Sequence, residues 1–309
     1  MLELINVSVN FESSNSVLAA EDISISFEDG SRTAIVGETG SGKSVLLLAV
    51  IRLLPPNAVI SGRIILDKED LLKADKERMR QVRGGIISYV PQGGGASMNP
   101  LMKVGHQVGE PLTEHRGYTK KQAFTASVGL LRKFNLSDEE RLAGAYPHSF
   151  SGGMRQRAMA AMGISAGAKI ILADEPTKGL DDRRVKMVIE TLNTLQKETL
   201  ICVTHDMSFA KAVSRDTCVM YAAQQVEYGR TEQVMNDPLH PYTQDMIEAM
   251  PENSMIYDGS GFAPSHEDDS DGCRYRQRCR DCSSKCRETP PLADINGHKV
   301  RCWKYDFAN

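Results

Sequence analysis

The run Gly37-Glu38-Thr39-Gly40-Ser41-Gly42-Lys43-Ser44 constrains this chain most, because it fits G-x-x-x-x-G-K-[ST] and stands between an apolar strand and an apolar helix. Its glycines let successive backbone N–H groups converge on phosphate oxygens, and the helix that follows adds a favourable dipole. In such a loop Lys43 reaches the β and γ phosphates of a bound nucleotide and Ser44 ligates magnesium.

The rest of the chain supplies the strands and helices that such a loop needs. Residues 2–9, 23–27 and 33–36 read as short strands, with Asp29-Gly30 as a turn before the last. A helix over 45–54 is stopped by Pro55-Pro56, and residues 62–66 resume a strand. Residues 101–163 are mostly helical in pattern, with polar turns near Arg116-Gly117 and Asn135. The near-continuous apolar runs 169–173 and 199–203 have the pattern of strands buried on both faces of a parallel sheet, separated by a helical stretch over 184–196. The alternation predicts an α/β fold.

The first of those runs ends in Asp174-Glu175, so a buried strand delivers two carboxylates to its C-terminal end, where ligands gather in open α/β sheets. Asp174 is the expected magnesium ligand. Glu175 points elsewhere and is placed to orient or deprotonate an attacking water.

Composition narrows the setting. A net charge of -3 gives no global electrostatic reason to expect nucleic acid or an anionic membrane as partner. The N-terminus lacks the basic start and apolar core of a signal peptide, so export is not expected. The longest apolar run, residues 45–51, falls far short of the ~20 residues of a membrane-spanning helix. Residues 251–272 are polar and acidic and read as a flexible linker. Five of the seven cysteines, Cys273, Cys279, Cys282, Cys286 and Cys302, crowd the segment beyond it. Without a signal peptide, such a cluster reads as metal or cluster ligands before disulfides. The alternating Arg274, Arg276, Arg278 and Arg280 read as a solvated basic face.

Ser151-Gly152-Gly153-Met154-Arg155-Gln156-Arg157 resembles the signature sequence of ABC ATPases, and its distance from the Gly37–Ser44 loop matches that family. The resemblance implies a RecA-like core, an antiparallel β subdomain and an α-helical signature subdomain. It implies ATP and Mg2+ as cofactors, with Ser44, Gln92 and Asp174 around the metal. It makes Gln92 the Q-loop glutamine, Asp181 the D-loop aspartate, His205 the switch histidine near the γ phosphate, and Phe11 the residue stacked on adenine. Glu175, His205 and Gln92 form the catalytic set. Two such subunits pack head to tail, so Ser151, Gly152, Gly153 and Met154 would face the nucleotide held by the partner's loop.

Ser97-Met98-Asn99-Pro100, Tyr146-Pro147-His148 and His240-Pro241-Tyr242-Thr243 look like the subfamily that powers uptake of oligopeptides, dipeptides and nickel. Gly93-Gly94-Gly95 departs from it, standing where an acidic residue and a proline are usual. The resemblance implies peptide cargo, with nickel or a metal chelate as the alternative. It also implies a homologous second ATPase subunit, two transmembrane permease subunits, an external substrate-binding protein, and a peripheral place on the cytoplasmic face of the membrane. Cys273, Cys279, Cys286 and Cys302 stand at spacings like the C-terminal cysteines of peptide-importer ATPases, some of which carry a [4Fe–4S] cluster. Four thiolates suit either that cluster or zinc. The expected division is residues 1–96 with 164–235 as nucleotide-binding core, 97–163 as signature subdomain and 236–309 as Cys-rich extension.

Overall fold

The computed structural model describes residues 1–12, 16–92, 97–195, 197–250 and 271–305. The loop glycines 93–95, most of the expected linker, and Gln196 lie outside the described residues. In chain order come β1 (Leu2–Phe11), β2 (Val17–Phe27), β3 (Arg32–Val36), α1 (Lys43–Val50), β4 (Ala58–Leu66) and β5 (Glu69–Asp70). They are followed by α2 (Lys76–Val82), β6 (Ile87–Val90), α3 (Val104–Arg116), α4 (Lys120–Lys133), α5 (Glu139–Ala143) and α6 (Gly152–Ser165). Next are β7 (Ile170–Asp174), α7 (Asp182–Asn193), β8 (Thr199–Thr204), α8 (Met207–Val213), β9 (Asp216–Tyr221) and β10 (Gln224–Arg230). The chain closes with α9 (Thr231–Asn236), α10 (Pro241–Glu248), β11 (Ala293–Ile295) and β12 (His298–Val300). These elements form two compact units, one of residues 1–28, 32–72 and 204–309, the other of 29–31 and 73–203.

In the first unit β1 pairs antiparallel with β2 and β4. Leu2 and Leu4 are buried, then Val7 and Val9, so the inward face changes phase along one strand. Asn6, at φ 48°, marks the irregularity that makes this possible, since one extra residue reverses the pleat. Strand β4 starts four residues before the expected 62, and Gly62 (φ 87°) sits at the matching break, where a Cβ would lie 2.3 Å from the Asn6 carbonyl oxygen. Helix α1 stops at Val50 instead of running to 54, because Arg52 turns to φ 51°. β3 runs parallel to β9, which pairs antiparallel with β10.

The Cys-rich segment is built into this unit. β12 pairs with β10 through Glu227 opposite Val300, and β11 pairs with β12. Tyr275 joins a core of Ala34, Val36, Val219, Tyr221, Val234 and Tyr242, its ring edge-on to Tyr221 with centroids 5.1 Å apart. Glu227, wholly buried, accepts hydrogen bonds from the N–H groups of Leu239 and His240 and lies 2.7 Å from the His298 ring nitrogen, so both its carboxylate oxygens have partners.

In the second unit β6, β7 and β8 are parallel, with Ile170 opposite both Ile87 and Thr199. Every residue of β7 and β8 is buried, as their unbroken apolar runs predict. Helices α3 to α6 enclose their own core, including Val104, Val108, Leu131, Phe134, Leu142, Phe150 and Met159. The turn at Arg116-Gly117 is closed by Gly117 at φ 68°, and Thr119 with Gln122 forms a capping box that starts α4.

Candidate functional site

The loop from Gly37 to Ser44 joins β3 to α1, as its motif requires. Two of its glycines are there because nothing larger fits: a Cβ on Gly37 would stand 2.1 Å from the Met220 carbonyl oxygen, and one on Gly42 2.0 Å from that of Ala19. Lys43 is buried, and its ammonium donates to the carbonyls of Gly37 and Glu38, both at 2.7 Å, and to Ser41 Oγ at 3.2 Å. The cation therefore sits within the concavity of the loop. Thr39 and Gly40 lie at its crest, with Gly40 at φ 86° and open space around it. Ser44 is half-buried on the first turn of α1.

His205 is exposed and immediately precedes Asp206, whose side chain accepts from the Phe209 N–H at 3.0 Å and so caps α8. His205 and Glu38 line one cavity of about 570 Å³ with Tyr242, Asp245, Met246 and Arg278. The first unit thus brings Glu38 of the loop and His205 to a shared opening. Phe11 does not line that cavity. It is half-buried at the end of β1, paired with Val17 and Ala58.

The second unit holds the carboxylates. Strands β6 and β7 are in register from Ile87 opposite Ile170 to Val90 opposite Ala173, so Gln92 and Asp174-Glu175 emerge from neighbouring strand ends. Gln92 is exposed and Asp174 is buried. Asp174 accepts a hydrogen bond from the Tyr89 hydroxyl at 3.0 Å. Burial first and the Asp174 charge second push that phenol well above its ordinary range, so it stays a donor. Glu175 adopts φ 45°, which turns it away from its neighbour, and its N–H donates to the Val203 carbonyl at 2.9 Å.

The signature residues open α6. Ser151 is the N-cap, its Oγ accepting from the Met154 N–H at 3.3 Å. Gly152 is exposed with nothing within 4 Å of a Cβ built on it, whereas Gly153 is backed by the Arg184 side chain. Met154 packs against the helical core. Ser151, Gly153 and Asp181 line a cavity of about 340 Å³ with Arg157, Arg183 and Arg184. Asp181 caps α7 and pairs with Arg184 at 3.3 Å. Arg157 feels burial first and the Arg184 charge second, both lowering its affinity for its proton.

Cys273, Cys279, Cys286 and Cys302 line a cavity of about 160 Å³, and Cys282 lies exposed outside it. Burial pushes the Cys273 thiol up to about 11 and that of Cys279 to about 12, so both are protonated near neutrality. Among the described residues no three His, Cys, Asp or Glu side chains are arranged to hold a metal ion. The arginine stripe differs from the expected solvated face. Arg274 pairs with Glu21, Arg278 with Glu38, and Arg280 with Asp245 and Glu248, while Arg276 bonds backbone carbonyls. Sequence reasoning also missed Tyr89, which no motif marks, and the contact of Tyr242 with the Glu38 N–H, which the 240–243 stretch does not report.

Among the described residues no helix is long and apolar enough to cross a membrane. The ABC transporter family model matches residues 20–178, and that of the oligopeptide/dipeptide transporter C-terminal region matches 226–286. The chain is 34% identical to the oligopeptide transport ATP-binding protein OppD of Haemophilus influenzae, over 98% of this chain and 97% of that one. It is 36% identical to the dipeptide transport ATP-binding protein DppD of the same organism, over 98% and 94%. A putative peptide import ATP-binding protein of Brucella melitensis is 36% identical over 94% and 92%. Among solved structures, a dimeric ATP-binding cassette in a post-hydrolysis state, bound to ADP and phosphate, matches with a TM-score of 0.67. At 24% identity, covering 75% of this chain and 99% of that one, it shares the fold. The phosphate-binding loop, the signature turn and these full-length matches agree: this chain belongs to the ABC transporter family, among the oligopeptide and dipeptide transport ATP-binding proteins.

Proposed function

We propose that this chain binds and hydrolyses ATP as one motor subunit of an importer of di- and oligopeptides. The observation that carries the reading is the loop itself: Gly37 and Gly42 packed too tightly for any Cβ, a buried Lys43 in its concavity, and Glu38 and His205 on one opening. The relatives' names favour peptide cargo over the nickel alternative.

Within this reading Lys43 and the loop amides hold the phosphates, and α1 adds its N-terminal dipole. Ser44, Asp174 and Gln92 offer the hard oxygen donors that magnesium prefers, and the hydrogen bond from Tyr89 fixes the Asp174 carboxylate. Held by those oxygens, magnesium would supply the positive charge that phosphoryl transfer requires. Glu175 orients and polarises the attacking water, and His205 hydrogen-bonds the γ phosphate. Ser151 and Gly152 are exposed at a helix N-terminus and, with the buried Gly153 behind them, would complete the phosphate cage of a partner subunit. Met154, packed inward, contributes its backbone alone.

The assembly we propose contains a homologous second ATPase subunit, two permease subunits and an external binding protein, with this chain peripheral on the cytoplasmic face. We divide the chain functionally into residues 1–96 with 164–235 as nucleotide core, 97–163 as signature subdomain and 236–309 as extension. Reconstitution with permeases and binding protein should give peptide uptake that requires ATP. A chain isolated as a stable homodimer on ribosomes or DNA, with no permease, would overturn the proposal.

For the tail, the four thiols that line one cavity offer the donor set of a [4Fe–4S] cluster, with a structural zinc as the alternative. Cys273, Cys279, Cys286 and Cys302 would hold it after losing their protons. Such a cluster supplies a structural staple or an electron store. Iron with acid-labile sulfide in anaerobically purified protein supports this reading; zinc without iron rejects it.

A further inference from the structure

A side chain of the C-terminal segment reaches the phosphate-binding loop. Arg278, only 8% exposed, donates from its two Nη atoms to the two carboxylate oxygens of Glu38 at 3.0 and 3.1 Å. Its guanidinium lies over the rings of Tyr221 and Tyr275, 5.6 and 5.4 Å from their centroids, and donates to the Tyr221 hydroxyl at 3.3 Å. The Glu38 N–H donates in turn to the Tyr242 hydroxyl at 2.9 Å. The second residue of the loop is therefore gripped at backbone and side chain by groups far from it in sequence.

We propose that Arg278 is a positioning residue of the phosphate-binding loop, clamping Glu38 and neutralising its carboxylate so that docking of the Cys-rich segment sets the affinity for nucleotide phosphates. This rests on the reading of residues 37–44 as the ATP site. The chemistry follows from charge. A carboxylate inside a loop that must accept a polyanion opposes binding unless a cation compensates it. A guanidinium does this in a fixed bidentate geometry that an ammonium cannot copy, and the aromatic rings on which it lies hold that geometry. Because Arg278 is followed by Cys279, which lines the thiol cavity, the clamp is continuous with the cysteine cluster.

The test is equilibrium ATP binding and steady-state hydrolysis by the full chain in its reconstituted transporter. Arg278→Gln should raise the Kd and KM for ATP about tenfold, a loss of about 1.4 kcal/mol, with kcat at saturating ATP nearly unchanged. Arg278→Lys should fall between, keeping the charge without the fork. Adding Glu38→Gln to Arg278→Gln should recover part of the affinity, because the uncompensated charge is gone. Lys304→Gln, which breaks the tail ion pair to Asp281 away from the loop and its cavity, should leave ATP affinity unchanged. The inference is overturned if Arg278→Gln binds ATP like the parent, if Lys304→Gln weakens it equally, or if Glu38→Gln brings no recovery. Should Arg278→Gln lower the melting temperature too far to assay, Arg278→Lys decides alone, and parental affinity there overturns the clamp. A parent chain that binds no ATP would instead refute the ATPase reading.

Discussion

The Tyr89 hydroxyl donates to Oδ2 of Asp174 across two paired parallel strands, tying the proposed magnesium carboxylate to the end of β6. A ligand oriented by a neighbour in this way binds metal more tightly than one free to rotate. Tyr89→Phe keeps the ring and removes only the donor. The magnesium concentration for half-maximal ATPase activity should rise about tenfold, and a magnesium titration at saturating ATP measures it. An unchanged requirement would take Asp174 out of the metal site.

Much of this arrangement is legible in the sequence, and the exceptions share a cause. The loop at 37–44, the carboxylates after β7 and the signature turn are local: their chemistry depends on residues adjacent in sequence, so pattern and context suffice. Tyr89, Tyr242 and Arg278 act on groups 85 to 240 residues away, and no local pattern reports such a partner. The same holds for Arg274 and Arg280, whose alternation suggests a solvated face until Glu21 and Asp245 are folded beside them. The start of β4 and the end of α1 differ from the sequence expectation where the backbone enters positive φ, at Gly62 facing Asn6 and at Arg52.

Glu175 and Lys43 should separate chemistry from binding. Glu175→Gln removes the charge of that one side chain and keeps its shape, so ATP binding should persist while turnover falls about 10²- to 10⁴-fold, the usual worth of a positioned acid–base group. Lys43→Ala removes the cation inside the loop, and its main effect should be on the Kd for ATP. Nucleotide binding and phosphate release, measured on both variants, check the pair. If Glu175→Gln turns over normally, another group positions the water.

Gly152 offers a test of a shared site. Nothing lies within 4 Å of a Cβ built there, so Gly152→Asp should fold with an unchanged melting temperature. Its carboxylate would stand where the partner's γ phosphate is expected, and ATPase activity should drop at least about a hundredfold, the scale of losing oxyanion-type stabilisation. ATP binding to the variant's own loop should survive. Loss of that binding would place the signature turn in its own chain's site.

His240 makes stability depend on pH. It is buried at the start of α10, where its Nδ1 accepts from the Tyr242 N–H at 3.0 Å and its own N–H donates to Glu227. Burial lowers its pKa from 6.5 to about 4, and the opposing pull of Glu227 and Asp245 is smaller. Between those values the unfolded chain binds a proton that the folded chain refuses, so stability rises with pH through the window and is lost as pH falls from about 6.5 toward 4. The loss is on the order of 3 kcal/mol for this group. Melting temperatures from pH 7 to 4.5 should decline, and His240→Asn, which can still accept the Tyr242 N–H but does not titrate, should flatten the decline. An equally steep decline in that variant would assign the pH dependence to other groups.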